Sequence, residues 1–191
     1  MNKLILSLCL LFSLPAVALN DSSNQDTTSS ASHVSRQAQK NRDTEIVSFL
    51  IVLNNNELAA AKKAFEKNLN PRVQYYAKSM QKDHSKNLAD TMRIVEENNL
   101  RPAETPLGAS LKQEGKKELG SLSALSNDAF QKAYIDAMVK DHTKALLIID
   151  NHYLKQVANP QLKNHLELTR KVVNHHLHMA KTIQQEMNPN N

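Results

Sequence analysis

The sequence predicts an all-α protein, a four-helix bundle made of two antiparallel hairpins joined by a long crossover. Three observations predict it. Four long segments repeat apolar residues at helical spacing, and the chain holds only 3 glycines and 4% aromatic residues, which suits helices better than sheets. The segments also come in pairs, each pair separated by a two-residue junction, and 28 residues lie between the pairs.

Residues 1–18 read as a secretory signal. Met1-Asn2-Lys3 precedes an apolar run from Leu4 to Leu14, and Pro15-Ala16-Val17-Ala18 supplies an Ala-x-Ala cleavage site. Cleavage near Ala18 would leave a mature chain that starts at Leu19 and is periplasmic or secreted. The apolar run is shorter than the roughly 20 residues a membrane span needs, so no transmembrane segment is expected in the mature chain. Cys9 is the sole cysteine and lies in the signal. Leu8 before it is too large for a lipoprotein signal. The mature chain therefore has no thiol for disulfides, thiolate ligation or nucleophilic catalysis.

Residues 19–43 are rich in Ser, Thr, Asn, Gln and Asp and poor in large apolar side chains. Such a segment cannot bury enough surface to offset the entropy of ordering, so it is expected to be a disordered leader. Residues 44–187 form the bundle domain, and 188–191 are a tail.

The first helix is expected from about Thr44 to Asn68 and the second from Pro71 to about Asn98. The third spans about Asn127 to Val157, and the fourth runs from Pro160 to about Met187. Asn70-Pro71 and Asn159-Pro160 mark the two short junctions. Proline disfavours helix at the residue before it and suits the first turn after it. The 28-residue connection, with one short helix expected near Ala109 to Leu119, is long enough to travel back along a helix of about 40 Å. That route gives the ferritin-like arrangement; a locally folded loop gives the alternative topology.

The formal charge of +5 is spread along the helices and reads as solvated faces. The basic cluster from Lys112 to Lys117 is broken by Glu114 and has no aromatic neighbours for base stacking, so nucleic acid is not an expected partner. A homo-oligomer or an envelope protein partner is left open.

Rotation by about 100° per residue groups Ile46, Leu50, Glu57, Ala61 and Ala64 on the buried stripe of the first helix. The second groups Val73, Met80, His84, Leu88, Thr91 and Val95, the third Met138, His142, Leu146, Ile149 and Tyr153, and the fourth Leu162, Leu166, Thr169, Val173, His176, Leu177 and Ala180. Each stripe therefore holds one strong ligand type near mid-helix: Glu57, His84, His142 and His176. Antiparallel packing would bring all four to one level. One carboxylate and three imidazoles suit a transition metal, with copper, zinc or iron all compatible. The bland alternative is a buried polar layer in which Glu57 pairs with a protonated histidine and fixes helix register.

The second and third helices share a repeat. YYAKSMQKDHSKNL at Tyr75–Leu88 returns as AYIDAMVKDHTKAL at Ala133–Leu146. Asp83 and Asp141 precede the paired histidines. Each could orient a histidine on a neighbouring helix, act as an extra ligand or face solvent. Met80 and Met138, one turn before His84 and His142, could be soft ligands that favour copper, or core filler. Tyr76 and Tyr134 sit at the stripe edge, positioned to bond the polar layer or to pack. His165 faces inward but lies three turns from His176, and His175 could replace His176 if the helix rotates. His178 should face water; His152 and His33 form no pattern.

These marks resemble the bacterial family known as domain of unknown function 4142. The resemblance rests on Asn56-Glu57-Leu58, Asn70-Pro71, Tyr76-Ala77, Met80, Asp83-His84-Ser85-Lys86, Phe130, Tyr134, Met138, Asp141-His142 and His176-Leu177. It implies a ferritin-like fold and export, and carries no established chemistry. The chain departs from the family's Leu-Pro in the fourth helix, having Arg170-Lys171 there, so a kink expected from the family should be absent.

No Glu-x-x-His pair of the di-iron type occurs, which argues against a ferroxidase or a mineral-storing cage. No Ser-His-Asp order or phosphate-binding glycine loop is present either. Whether the chain is an enzyme is left open. Two readings remain: an exported bundle that binds metal for metal handling or stress protection, and a non-catalytic structural or envelope-stress module.

Overall fold

The structure is a computed structural model that describes residues 23–188. The expected signal at 1–18, the first residues of the leader and the end of the tail lie outside the described residues. The chain divides into two units, residues 1–34 and 35–191. In the first, residues 23–34 are helical.

The helices are α1 (Ser23–Phe65), α2 (Pro71–Glu97), α3 (Pro106–Ser123), α4 (Asn127–Ile148) and α5 (Pro160–Met187). A π-helical turn, Ile149–Tyr153, and a short α-turn, Leu154–Gln156, prolong α4. Among the described residues there is no strand.

Three prolines open helices, and the residue before each caps the first turn. Asn70 Oδ1 accepts from Val73 N–H at 3.0 Å, Thr105 Oγ1 from Gly108 N–H at 2.9 Å, and Asn159 Oδ1 from Leu162 N–H at 3.0 Å. Each such cap stabilises its helix by about 1 kcal/mol. The Asn-Pro junctions thus stop one helix and start the next.

Cross-helix hydrogen bonds fix the directions. Arg72 Nε donates to Glu186 at 2.9 Å and Asn98 Nδ2 to Gln161 at 2.9 Å, so α2 and α5 are antiparallel. Asn70 N–H donates to Gln131 Oε1 at 2.6 Å, which puts the starts of α2 and α4 together. Asp43 Oδ1 accepts from Ala158 N–H at 3.0 Å, bringing α1 antiparallel to α4.

The connection between the hairpins follows α1. Ala103 N–H donates to Ser48 Oγ at 3.0 Å, Asn56 Nδ2 to the Leu111 carbonyl at 2.9 Å, and Lys67 Nζ to the Leu125 carbonyl at 2.6 Å. The chain therefore returns the length of the bundle before α4 begins, which is the long crossover the sequence predicts. Its helix, Pro106–Ser123, is longer than expected.

Two further differences from expectation have local causes. Residues 35–43 are helical, yet none of the side chains from Ser35 to Arg42 is buried. An exposed extension adds one hydrogen bond per residue to a helix already nucleated, so it needs no apolar face. The π turn also interrupts the helix expected to run to Val157, while Ile149 and Tyr153 both stay buried and the Tyr153 ring packs 4.9 Å from Phe49. Helix α5 passes unbroken through Arg170-Lys171, as the missing proline predicts.

The apolar core falls into two clusters. One holds Ala61, Met80, Phe130, Tyr134, Met138 and Ala180 among its members; the other holds Ile46, Leu50, Ile94, Ile149, Leu166 and Val173. Along each of α1, α2, α4 and α5 a buried polar set stands between these clusters: Asn54 and Glu57 on α1, His84, Asn87 and Thr91 on α2, His142 on α4 and His176 on α5.

Candidate metal centre

His84, His142 and His176 meet in this layer. Each offers a ring nitrogen, and the three lie within 4.8 Å of one another. Ring centroids are 5.8 Å apart for His84 and His142, 5.4 Å for His84 and His176, and 5.6 Å for His142 and His176. All three side chains are buried.

The two nitrogens of each ring have different fates. His84 Nδ1 lies 2.9 Å from Asn54 Oδ1, His142 Nδ1 2.9 Å from the Met138 carbonyl, and His176 Nε2 3.0 Å from Asp83 Oδ2. Every one of these partners is an oxygen that accepts, so in the neutral rings these nitrogens carry the proton. The remaining atoms, His84 Nε2, His142 Nε2 and His176 Nδ1, are buried and have no partner. Three lone pairs are thereby left on the other nitrogen of each ring. A ligating histidine has this arrangement, its second nitrogen tied to a carbonyl or carboxylate.

Burial, with the neighbouring imidazoles, holds His84 well below the usual histidine range; burial and His176 push His142 down to about 3. Burial also lowers His176, against the raising effect of Asp83. All three rings are accordingly neutral at pH 7, the form that binds metal.

Glu57 stands one step back. Its Oε1 is 3.9 Å from His142 Nδ1, on the protonated side of that ring, and its Oε2 is buried without a partner. Burial and the nearby Asp141 carboxyl raise its pKa well above the usual range. The structure thus brings three of the four mid-helix residues into one group and leaves Glu57 beside it. At about 2.0–2.1 Å per bond, tetrahedral nitrogens sit about 3.4 Å apart, so the three rings would have to draw closer together to share an ion. Three neutral donors add no charge; Asp83, against His176, is the carboxylate at hand to balance a dication, and Glu57, whose raised pKa favours its protonated form, would do so only on giving up that proton.

The profile of the family described as Domain of unknown function (DUF4142) matches residues 28–183. The chain belongs to the DUF4142 family. Two solved structures are similar to it: a DUF305 fragment from Deinococcus radiodurans at 14% identity, covering 76% of this chain and 96% of that one with a TM-score of 0.67, and a DUF305 protein from Streptomyces coelicolor at 9% identity, covering 77% and 94% with a TM-score of 0.67. The description of the second proposes that it is secreted. At such identities the likeness speaks for the helical fold alone. No curated protein matches the chain.

The remaining sequence-predicted residues of this DUF4142 chain divide clearly. Asp83 reaches a histidine on a neighbouring helix, His176 on α5. Asp141 instead faces α3: it hydrogen-bonds Glu118 and lies 3.2 Å from Lys140, and burial with Glu118 raises it to about 7. Met80 and Met138 are packed in the apolar cluster, and what Met138 gives His142 is its backbone carbonyl. Tyr76 and Tyr134 are buried 6.0 Å apart, edge to face, with unpartnered hydroxyls. His165 bonds Thr91 at 2.9 Å; His33, His152, His175 and His178 are exposed.

Sequence reasoning missed Asn54 and Asn87. Asn54 Nδ2 donates to Asn87 Oδ1 at 2.8 Å while its Oδ1 holds His84, and Asn87 Nδ2 donates to Thr169 Oγ1 at 2.7 Å. The signal was present in α1: Asn54 lies four residues after Leu50 and three before Glu57, on the buried stripe.

Proposed function

We propose that this DUF4142 chain is an exported, periplasmic or secreted, helical bundle that binds one transition-metal ion through His84 Nε2, His142 Nε2 and His176 Nδ1. The observation that carries the reading is the set of three buried, unpartnered imidazole nitrogens, each on a ring whose other nitrogen is held by an oxygen. Neutral imidazoles suit zinc, copper or iron. Asp83 and Asn54 orient the rings, Asp83 balances charge and Glu57 adds to it once it releases its proton, and three protein ligands leave a further coordination position free. Metal handling or protection from metal stress fits such a site.

The export reading is supported by the signal-like residues 1–18, and no helix among the described residues is long and apolar enough to cross a membrane. A purely structural polar layer accounts less well for the site. A network that exists to fix register should satisfy its members, because each unsatisfied buried polar atom costs about 1–3 kcal/mol, and here three nitrogens and a carboxylate oxygen are left over.

The test is metal content. Mature protein purified without chelator or histidine tag should carry or take up close to one equivalent of zinc, copper or iron, and His84→Ala should not. No uptake by the wild type would overturn the proposal.

A further inference from the structure

With His84, His142 and His176 buried, an ion has to cross protein to reach them. A cleft of about 40 Å³ opens between α1, α3 and α4, and Glu57, Asp141 and Glu118 line it. Glu57 is 3% exposed and its Oε2 has no partner, so a buried, unused oxygen lies at this cleft. Asp141 and Glu118 are hydrogen-bonded to each other, and Lys140 holds both, at 3.2 Å and 2.6 Å. Oxygen donors thus lead from solvent to within 3.9 Å of His142 Nδ1, at the edge of the three-histidine group.

We propose that this cleft is the entry route for a divalent cation, with Glu118 and Asp141 taking it from solvent and Glu57 passing it to the three histidines. The inference rests on the metal reading above. Hard carboxylate oxygens bind a partly hydrated dication readily and weakly enough to release it to imidazoles. The Lys140 ammonium marks a point where the acidic pair already holds a positive charge; its side chain is 63% exposed, so it can swing into water as the cation arrives. Any proton held by Glu118, Asp141 or Glu57 is displaced to solvent as the cation takes its place. Glu114 and Lys144, also lining the cleft, are paired at 2.6 Å and neutralise each other at the rim. Asp83, on the far side of the site, is 32% exposed, but its carboxylate is engaged by His176.

The experiment follows loading of the metal-free mature chain by Co2+, read from its visible absorption in a stopped-flow instrument, with final stoichiometry from equilibrium dialysis. Glu118→Gln with Asp141→Asn, which removes both receiving carboxylates, should load about tenfold more slowly or worse, and reach the same stoichiometry. Lys140→Met, which removes the competing ammonium, should load at least as fast as the wild type. Unchanged rates in the carboxylate variant, or faster loading in both variants as a merely loosened α3 would give, overturn the entry route and leave the histidine site standing. A wild type that takes up no Co2+ overturns both.

Discussion

His176 on α5 and Asp83 on α2 meet across the helix interface, with His176 Nε2 3.0 Å from Asp83 Oδ2. The histidine is fully buried and the aspartate side chain is 32% exposed. The contact turns His176 so that Nδ1 is its free nitrogen, and it places a negative charge behind the ring. Asp83→Asn keeps an accepting oxygen and removes the charge. It should weaken metal affinity roughly 10- to 100-fold, with little change in metal-free thermal stability, measured by competition with a chromophoric chelator.

Binding only to the folded state stabilises it. With free zinc at about 100 times its dissociation constant, the wild type should gain about 2.7 kcal/mol. His142→Ala and His176→Ala should lose that gain, and differential scanning calorimetry with and without zinc reads it directly.

In the metal-free protein, His142 titrates near 3 when folded and near 6.5 when unfolded. Between those values the unfolded state binds more protons, so stability rises with pH across the window and is lost as pH falls through it. His84 and His176 are shifted the same way. Urea midpoints between pH 4 and 7 should climb, and the climb should be shallower in His142→Leu.

Glu57 contributes with the opposite sign. Its folded pKa is raised, so above the ordinary glutamate value the folded state holds a proton that the unfolded state releases, and stability falls as pH rises. Glu57→Gln removes this dependence. The variant should gain on the metal-free wild type from pH 5 to pH 8, a trend that paired melting curves would show or refute.

Helix α3 is held to α1 through a close approach at Gly115. A Cβ there would meet the Asn56 side chain at 2.5 Å, and Asn56 is committed to the Leu111 carbonyl. Gly115→Ala should therefore break that bond or push α3 outward, at a cost of about 1–3 kcal/mol in chemical denaturation. The replacement is helix-favouring, so a stability gain would mean that Asn56 simply turns away.

Periodicity made the bundle legible, because apolar spacing and Asn-Pro junctions act locally and each stripe is a property of its own helix. It also placed His84, His142 and His176 at one level. What it could not supply is the rotation of one helix against another. Glu57 shares the level of the histidines but sits on the protonated side of His142, and Asp141, matched to Asp83 by the repeat, faces α3 instead of α5. The repeat makes the two aspartates equivalent in sequence, while only one has a histidine opposite it. The polar stretch before Thr44 misled for another reason: lack of an apolar stripe excludes burial, not helix.

One ion held by three named nitrogens is what the proposed site requires. A crystal of the mature protein grown with zinc, with diffraction recorded on both sides of the zinc absorption edge, tests it most directly. One anomalous peak should lie in the core, about 2.0–2.1 Å from His84 Nε2, His142 Nε2 and His176 Nδ1. A core holding only water, or peaks confined to exposed histidines such as His175 and His178, would contradict it.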